Sequence, residues 1–303
     1  MKQLVTAQRG FLIAHIVSMA FGLAGLLLVV PNADTIVSLS PFGQQIFQVS
    51  MANGGVAYIL FGAAAVSIYA GRLLGVQQWL AFMVPAVFLS LGSELLGTST
   101  GFPFGHYQYL SGLGYKISGL VPFTIPLSWF YLGLVSYLLA RNGLETTKLP
   151  AWGRHLGAIF LGALLLTSWD FVLDPAMSQT DIPFWEWLQP GAFFGMPYQN
   201  FAGWMGTGAL FMTVAALLWP KQPLAMTRGE MVFPLVVYAS NFIFSAVMSL
   251  AAGLWIPVLL GIFLGMGPAM MLWNIASPAP ATEMPLDEET TNPRPKASEV
   301  AAS

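Results

Sequence analysis

FLIAHIVSMAFGLAGLLLVV, residues 11–30, is twenty residues without one charged side chain. A helix of that length rises about 30 Å, the thickness of a bilayer's hydrocarbon core. The run is longer than the apolar stretch of a secretory signal, and no clear small-x-small cleavage site follows it before Pro31. It therefore reads as a retained span. Working outward from this span at 10–30, similar runs lie near 46–70, 77–97, 119–140, 155–174, 200–219, 231–251 and 254–274. Transmembrane strands would be about half as long and would alternate. The expected fold class is all-α, a polytopic transmembrane helical bundle of about eight spans.

Composition points the same way. Charged residues make up 8% of the chain, against about 25% in a soluble domain. That is too little charge to cover a globule in water. The absence of cysteine excludes disulfides and thiolate chemistry. A net charge of −2 gives no reason to expect nucleic acid. Residues 1–276 read as one transmembrane domain, and 277–303, where five prolines sit among acids, read as a disordered cytoplasmic tail. No internal repeat of the kind that builds inverted-repeat transporters is evident.

If the spans alternate, one side holds Lys2, Arg9, Arg72, Arg141, Lys148, Arg154, Lys221, Arg228, Arg294 and Lys296, and the other only Lys116. Ten against one makes the first side cytoplasmic, with both termini there. The membrane is the plasma membrane, or the thylakoid in a cyanobacterium.

Two loops on the opposite side are dense in glycine, proline and aromatics: GTSTGFPFGHYQYLSGLGYKISG at 97–119, and DPAMSQTDIPFWEWLQPGAFFGMPYQN at 174–200. Such loops make shaped surfaces, although tryptophan and tyrosine also gather in ordinary interfacial belts. Beside them lie three acids. Glu94 is near the end of the third span, and Asp170 and Asp174 are near the end of the fifth. A spacing of four puts the two aspartates on one helix face, with Pro175 helping to end that helix.

A charge inside a span costs about 2.5–3.5 kcal/mol, so it usually has a partner or a task. No lysine or arginine lies in the nearby spans to neutralise these acids. A carboxylic acid kept from water can hold its proton and act as an acid. The competing reading is structural: acids that bind Ser, Thr, Trp or Asn side chains and hold the bundle together. His15 and His155 are expected to pack or snorkel near the cytoplasmic side, whereas His106 lies in the aromatic loop and is a candidate site residue. The single DxxxD resembles the Asp-rich motifs of membrane prenyltransferases. With one such motif and only Lys116 nearby, diphosphate chemistry is disfavoured.

The stretches GSELLGTSTGFPFGHYQY…LGYKISGLVPFTIPLSWF and SWDFVLDPAMSQ…FWEW…GAFFGMPYQNFAGWMGTG resemble the carotenoid biosynthesis proteins of the CruF type. These are integral-membrane carotenoid 1',2'-hydratases, among them cyanobacterial γ-carotene and haloarchaeal bisanhydrobacterioruberin hydratases. The resemblance runs from about the third span through the sixth. It implies water addition to the terminal C1'=C2' bond of an acyclic carotenoid end, giving a 1'-hydroxy carotenoid. The substrate would be γ-carotene or lycopene-like, with the cyanobacterial one favoured.

Protonating such an alkene gives a tertiary cation, which water then captures. Asp170 or Asp174 would supply the proton, and Glu94 would orient or deprotonate the water. Trp169, Trp185, Trp187, Tyr107 and Tyr109 would shield the cation through their ring faces. Asn200 and His106 would hold the water. No metal or cofactor is called for. The expected partners are a carotenoid dissolved in membrane lipid and, through the tail, other enzymes of carotenoid synthesis. A proton-coupled transporter, a pigment-binding protein without activity and another isoprenoid enzyme are the rival readings.

Overall fold

Inside a bilayer every backbone N–H and C=O must be satisfied within the chain, which leaves helices for apolar runs of this length. The computed structural model describes residues 2–220, 224 and 226–276. The segment 277–303, expected to be a disordered tail, lies outside the described residues, as does Lys221.

The helices are α1 (Lys2–Val29), α2 (Ala33–Ser38), α3 (Pro41–Leu73), α4 (Val76–Thr100), α5 (Thr124–Glu145), α6 (Ala151–Met177), α7 (Tyr198–Leu218), α8 (Val232–Ala251) and α9 (Trp255–Ile275). All but α2 and α5 are long and apolar enough to cross a membrane, seven among the described residues. The eighth long helix, α5, has 22 residues and is held between α3, α4, α6, α8 and α9. Its tyrosines, Trp129, Arg141 and Asn142 are buried. They meet protein rather than lipid, which is why a helix of lower apolarity can stand at the centre of the bundle.

Several boundaries differ from the sequence reading. α1 and α3 begin well before residues 10 and 46, and the short α2 between them was not expected. α6 continues through Pro175 to Met177. A proline this near the end removes only the N–H that would have bonded Phe171 O, so the helix closes one turn later than expected. The tight hairpin between α8 and α9 is as expected, with Gly253 at φ 75° in its turn.

The bundle has two chemically different ends. At one, Arg72 Nη2 donates to Gln8 Oε1 (3.2 Å) and Glu145 pairs with Arg154 (3.2 Å) and Arg141 (3.8 Å). At the other, the two aromatic loops are sewn together. Strand β1 (Tyr107–Tyr109) pairs antiparallel with β4 (Trp185–Trp187), and β2 (Lys116–Ile117) with β3 (Val121–Pro122). The register sets Tyr107 against Trp187, Gln108 against Glu186 and Tyr109 against Trp185. YQY and WEW alternate aromatic and polar, so four rings share one face of the ribbon, while Gln108 and Glu186 bond each other on the opposite one.

The loop carrying Leu113 presses directly on α3. A Cβ on Gly55 would stand 2.5 Å from Gly112 O. Gly55→Ala is therefore expected to cost about 1–3 kcal/mol through overpacking, read as a lower melting temperature of the purified protein. An unchanged melting temperature would show that the loop yields freely.

Candidate active site

Two helices bring the acids together. Glu94 lies on α4 two turns before its end, and Asp170 and Asp174 lie in the last two turns of α6. Each is 2% exposed. Among the described residues the ion pairs formed by acids involve Glu145 at the far end, and none reaches these three. Their charge is met by hydrogen bonds instead.

Glu94 is held by three donors. Trp129 Nε1 donates to Oε1 (2.8 Å), and the hydroxyls of Tyr109 (2.9 Å) and Tyr107 donate to Oε2. Burial first, then the charge of Glu94, pushes both tyrosine hydroxyls well above the ordinary phenol range. Both thus remain donors at neutral pH.

Asp174 is also surrounded by donors. Its Oδ1 accepts from Trp185 Nε1 (2.5 Å) and Trp187 Nε1 (3.2 Å), and its Oδ2 from Asn200 Nδ2 (3.1 Å). The same Asn200 nitrogen donates to Asp170 Oδ2 at 2.7 Å. Among the described residues that is the sole hydrogen bond of the Asp170 carboxyl, and Oδ1 has none. One face of the β1–β4 ribbon therefore serves two carboxyls: the tyrosines of one strand bind Glu94, and the tryptophans of the other bind Asp174.

These groups line a chamber of about 60 Å³, with Trp169, Trp204 and Phe104 completing its wall. Trp129 and Trp204 stack at 3.9 Å between centroids, and Trp169 meets Trp204 edge-on at 5.8 Å. The chamber has room for a water molecule but not for a whole lipid-like substrate. Beside it lies an apolar cavity of about 300 Å³, walled by α1, α3 and α6. The two share Tyr58, Leu113, Leu173 and Trp185 in their walls.

Of the ten residues singled out from sequence, nine line the chamber. His106 does not. It is exposed, packs over Gly101, and joins the site only through backbone contacts to Gln189 and Leu188.

His15 packs, one of the two expected behaviours, but fully buried in the middle of α1 and not near its cytoplasmic end. Its Nδ1 lies 2.7 Å from Tyr58 O, which can only accept, so that nitrogen carries the proton. Its Nε2 then accepts from Asn241 Nδ2 at 3.0 Å. Asn241 also accepts from Tyr131 through its side chain (3.0 Å) and from Trp169 Nε1 through its backbone (3.3 Å). His15 thereby supports the chamber wall from behind. His155 is partly exposed near the opposite end.

Sequence reading missed Tyr58, Trp129 and Trp204. All three lie inside spans, where aromatic residues look like ordinary packing. A signal was present for Trp129, because a buried indole N–H needs an acceptor and Glu94 lacked a donor.

A bundle of helices of membrane type that sets a carboxyl chamber beside an apolar cavity defines a polytopic membrane protein with a polar site buried among its helices. Residues 54–268 match the carotenoid biosynthesis protein family, and the chain belongs to it. It is 31% identical over 192 residues to the bisanhydrobacterioruberin hydratase of Haloarcula japonica, an alignment spanning 63% of this chain and 62% of that protein. No solved structure matches the chain.

Proposed function

We propose that this protein is a carotenoid hydratase that adds water across the terminal C1'=C2' bond of an acyclic carotenoid end. The substrate is γ-carotene or a lycopene-like chain, and the product is the 1'-hydroxy carotenoid. The observation that carries the proposal is the pairing of a three-carboxyl chamber, free of ion pairs among the described residues, with an apolar cavity that shares four wall residues with it. The hydratase likeness supports the reaction class.

In this reading Asp170 is the acid. Asp174 and Glu94 each receive three hydrogen bonds, which suits acceptor-only carboxylates. Asp170 has one oxygen held by Asn200 and the other unbonded within the chamber. Its proton passes to C2', the less substituted carbon, and the π electrons form the new C–H bond. The empty orbital is left on C1', a tertiary centre.

The carboxylates of Glu94 and Asp174 and the faces of Trp129, Trp169 and Trp204 stabilise that charge. Water adds at C1' and loses one proton to Glu94, which matches the proton given by Asp170. The sum is one water gained, with no electrons exchanged. The acids cluster at one end rather than forming a relay across the bilayer, which favours chemistry over proton-coupled transport.

The uneven distribution of basic residues supports cytoplasmic termini and, with them, a chamber in the outer half of the membrane.

Expression in bacterial strains that accumulate lycopene or γ-carotene, followed by liquid chromatography with mass detection, tests the proposal. The expected product is more polar and heavier by one water. Unaltered pigment in both strains, with the protein present in the membrane, would sink it.

A further inference from the structure

The chamber is too small for anything beyond the reacting end, so the chain behind that end must lie elsewhere. The 300 Å³ cavity shares the wall residues Tyr58, Leu113, Leu173 and Trp185 with the chamber. Its wall is almost wholly hydrocarbon. Among the described residues, apart from the two shared groups Tyr58 and Trp185, Ser18 and Ser50 supply its only side-chain O–H or N–H groups. At the small end of ligand-pocket volumes, it holds a short length of chain and leaves the remainder in lipid.

The origin of its wall differs from that of the chamber. Every chamber residue falls between Tyr58 and Trp204, inside the segment matching the family. More than half of the cavity's lining comes from α1, Leu39 and the first part of α3, residues 18–51, which precede that segment. Two glycines keep the cavity open, Gly22 within that stretch and Gly54 at the start of the matching segment: a Cβ on either would meet nothing within 4 Å.

Building on the hydratase reading, we propose that residues 18–51 form a selecting wall. It receives the unsubstituted isoprenoid chain behind the reacting double bond and decides which carotenoids enter. A bare hydrocarbon segment fits this lining. A chain bearing hydroxyl or sugar groups near the reacting end would bury them without partners and is rejected.

Pigment retention tests the proposal separately from turnover. Asp170→Asn chain purified in mild detergent from a lycopene-accumulating strain is expected to carry lycopene, measured by absorbance against protein. Adding Gly22→Phe or Gly54→Phe, each of which places a ring in the cavity, is expected to cut retention about tenfold or more, equivalent to 1.4 kcal/mol. Adding Leu28→Phe, on an exposed face of α1 outside the cavity lining, is expected to leave retention unchanged.

Retention unaffected by both glycine variants, at normal protein levels, would overturn the selecting wall. So would phospholipid in place of pigment in the Asp170→Asn protein. If the cavity variants behave as expected while wild-type chain never hydrates lycopene or γ-carotene, the reaction assignment fails and the wall stands.

Discussion

Replacing Asp170 by Asn is expected to lower hydration about 10²- to 10⁴-fold, the usual contribution of a positioned general acid. An amide cannot protonate an alkene carbon, so any rate that remains comes from binding and from cation stabilisation. The fold should tolerate the change. Asp170 uses a single hydrogen bond, accepted from Asn200 Nδ2 at 2.7 Å, and the amide oxygen of Asn can accept it in the same place.

Asp174→Asn makes an instructive contrast. Both oxygens of Asp174 accept from N–H groups, so one donor would face an amide NH₂. An orphaned buried donor costs about 1–3 kcal/mol, and this variant should accumulate less well in the membrane. Product formed per membrane-bound chain, with protein quantified separately, distinguishes the two effects. Full activity of both variants at normal protein levels would remove the aspartates from the proton-donor role.

Glu94→Gln is expected to reduce hydration by at least about 100-fold, because the water loses its proton acceptor and the cation loses one of its two carboxylates. Here too the architecture accommodates the substitution. Trp129 Nε1 can only donate, which places the Gln oxygen opposite it. The NH₂ then faces Tyr107 and Tyr109, whose hydroxyls can turn to accept.

Glu94→Leu would instead leave three donors without an acceptor, at about 1–3 kcal/mol each, enough to endanger a marginally stable fold. An inactive, well-folded Gln variant beside a poorly accumulating Leu variant is the expected pair of results. A Gln variant with wild-type turnover would make Glu94 a structural anchor.

The span pattern was legible because a bilayer leaves little choice: twenty apolar residues must be helical. The depth of the three acids followed from counting along alternating spans. The long helix α5 forms near the fourth expected span at 119–140, but it runs from Thr124 to Glu145 and falls outside the seven helices apolar enough to cross a membrane. What stayed hidden depended on how loops pair in space. YQY and WEW each carry the two-residue period of a strand, but three residues are too few to mark a pairing 78 residues apart.

His106, inside a suggestive aromatic run, was drawn to the site by proximity in sequence. The ribbon's alternation turns Tyr107 and Tyr109 inward, and the preceding residue stays outside. His15 packs, as one of its two readings had it, but its supporting role was not legible. Its partners, Tyr58 O and Asn241, come from α3 and α8, and nothing local announces them.

The β1–β4 ribbon also has a consequence for how the protein meets different membranes. Helices tilt when bilayer thickness changes, and a site assembled from helix-borne groups alone would drift with them. Here Glu94 on α4 and Asp174 on α6 are each tethered to side chains of opposed residues in one antiparallel pair, whose separation of about 5 Å is fixed by backbone hydrogen bonds. The ribbon works as a caliper at the bundle's end, holding the jaws at one opening while the helices beneath lean to suit the lipid.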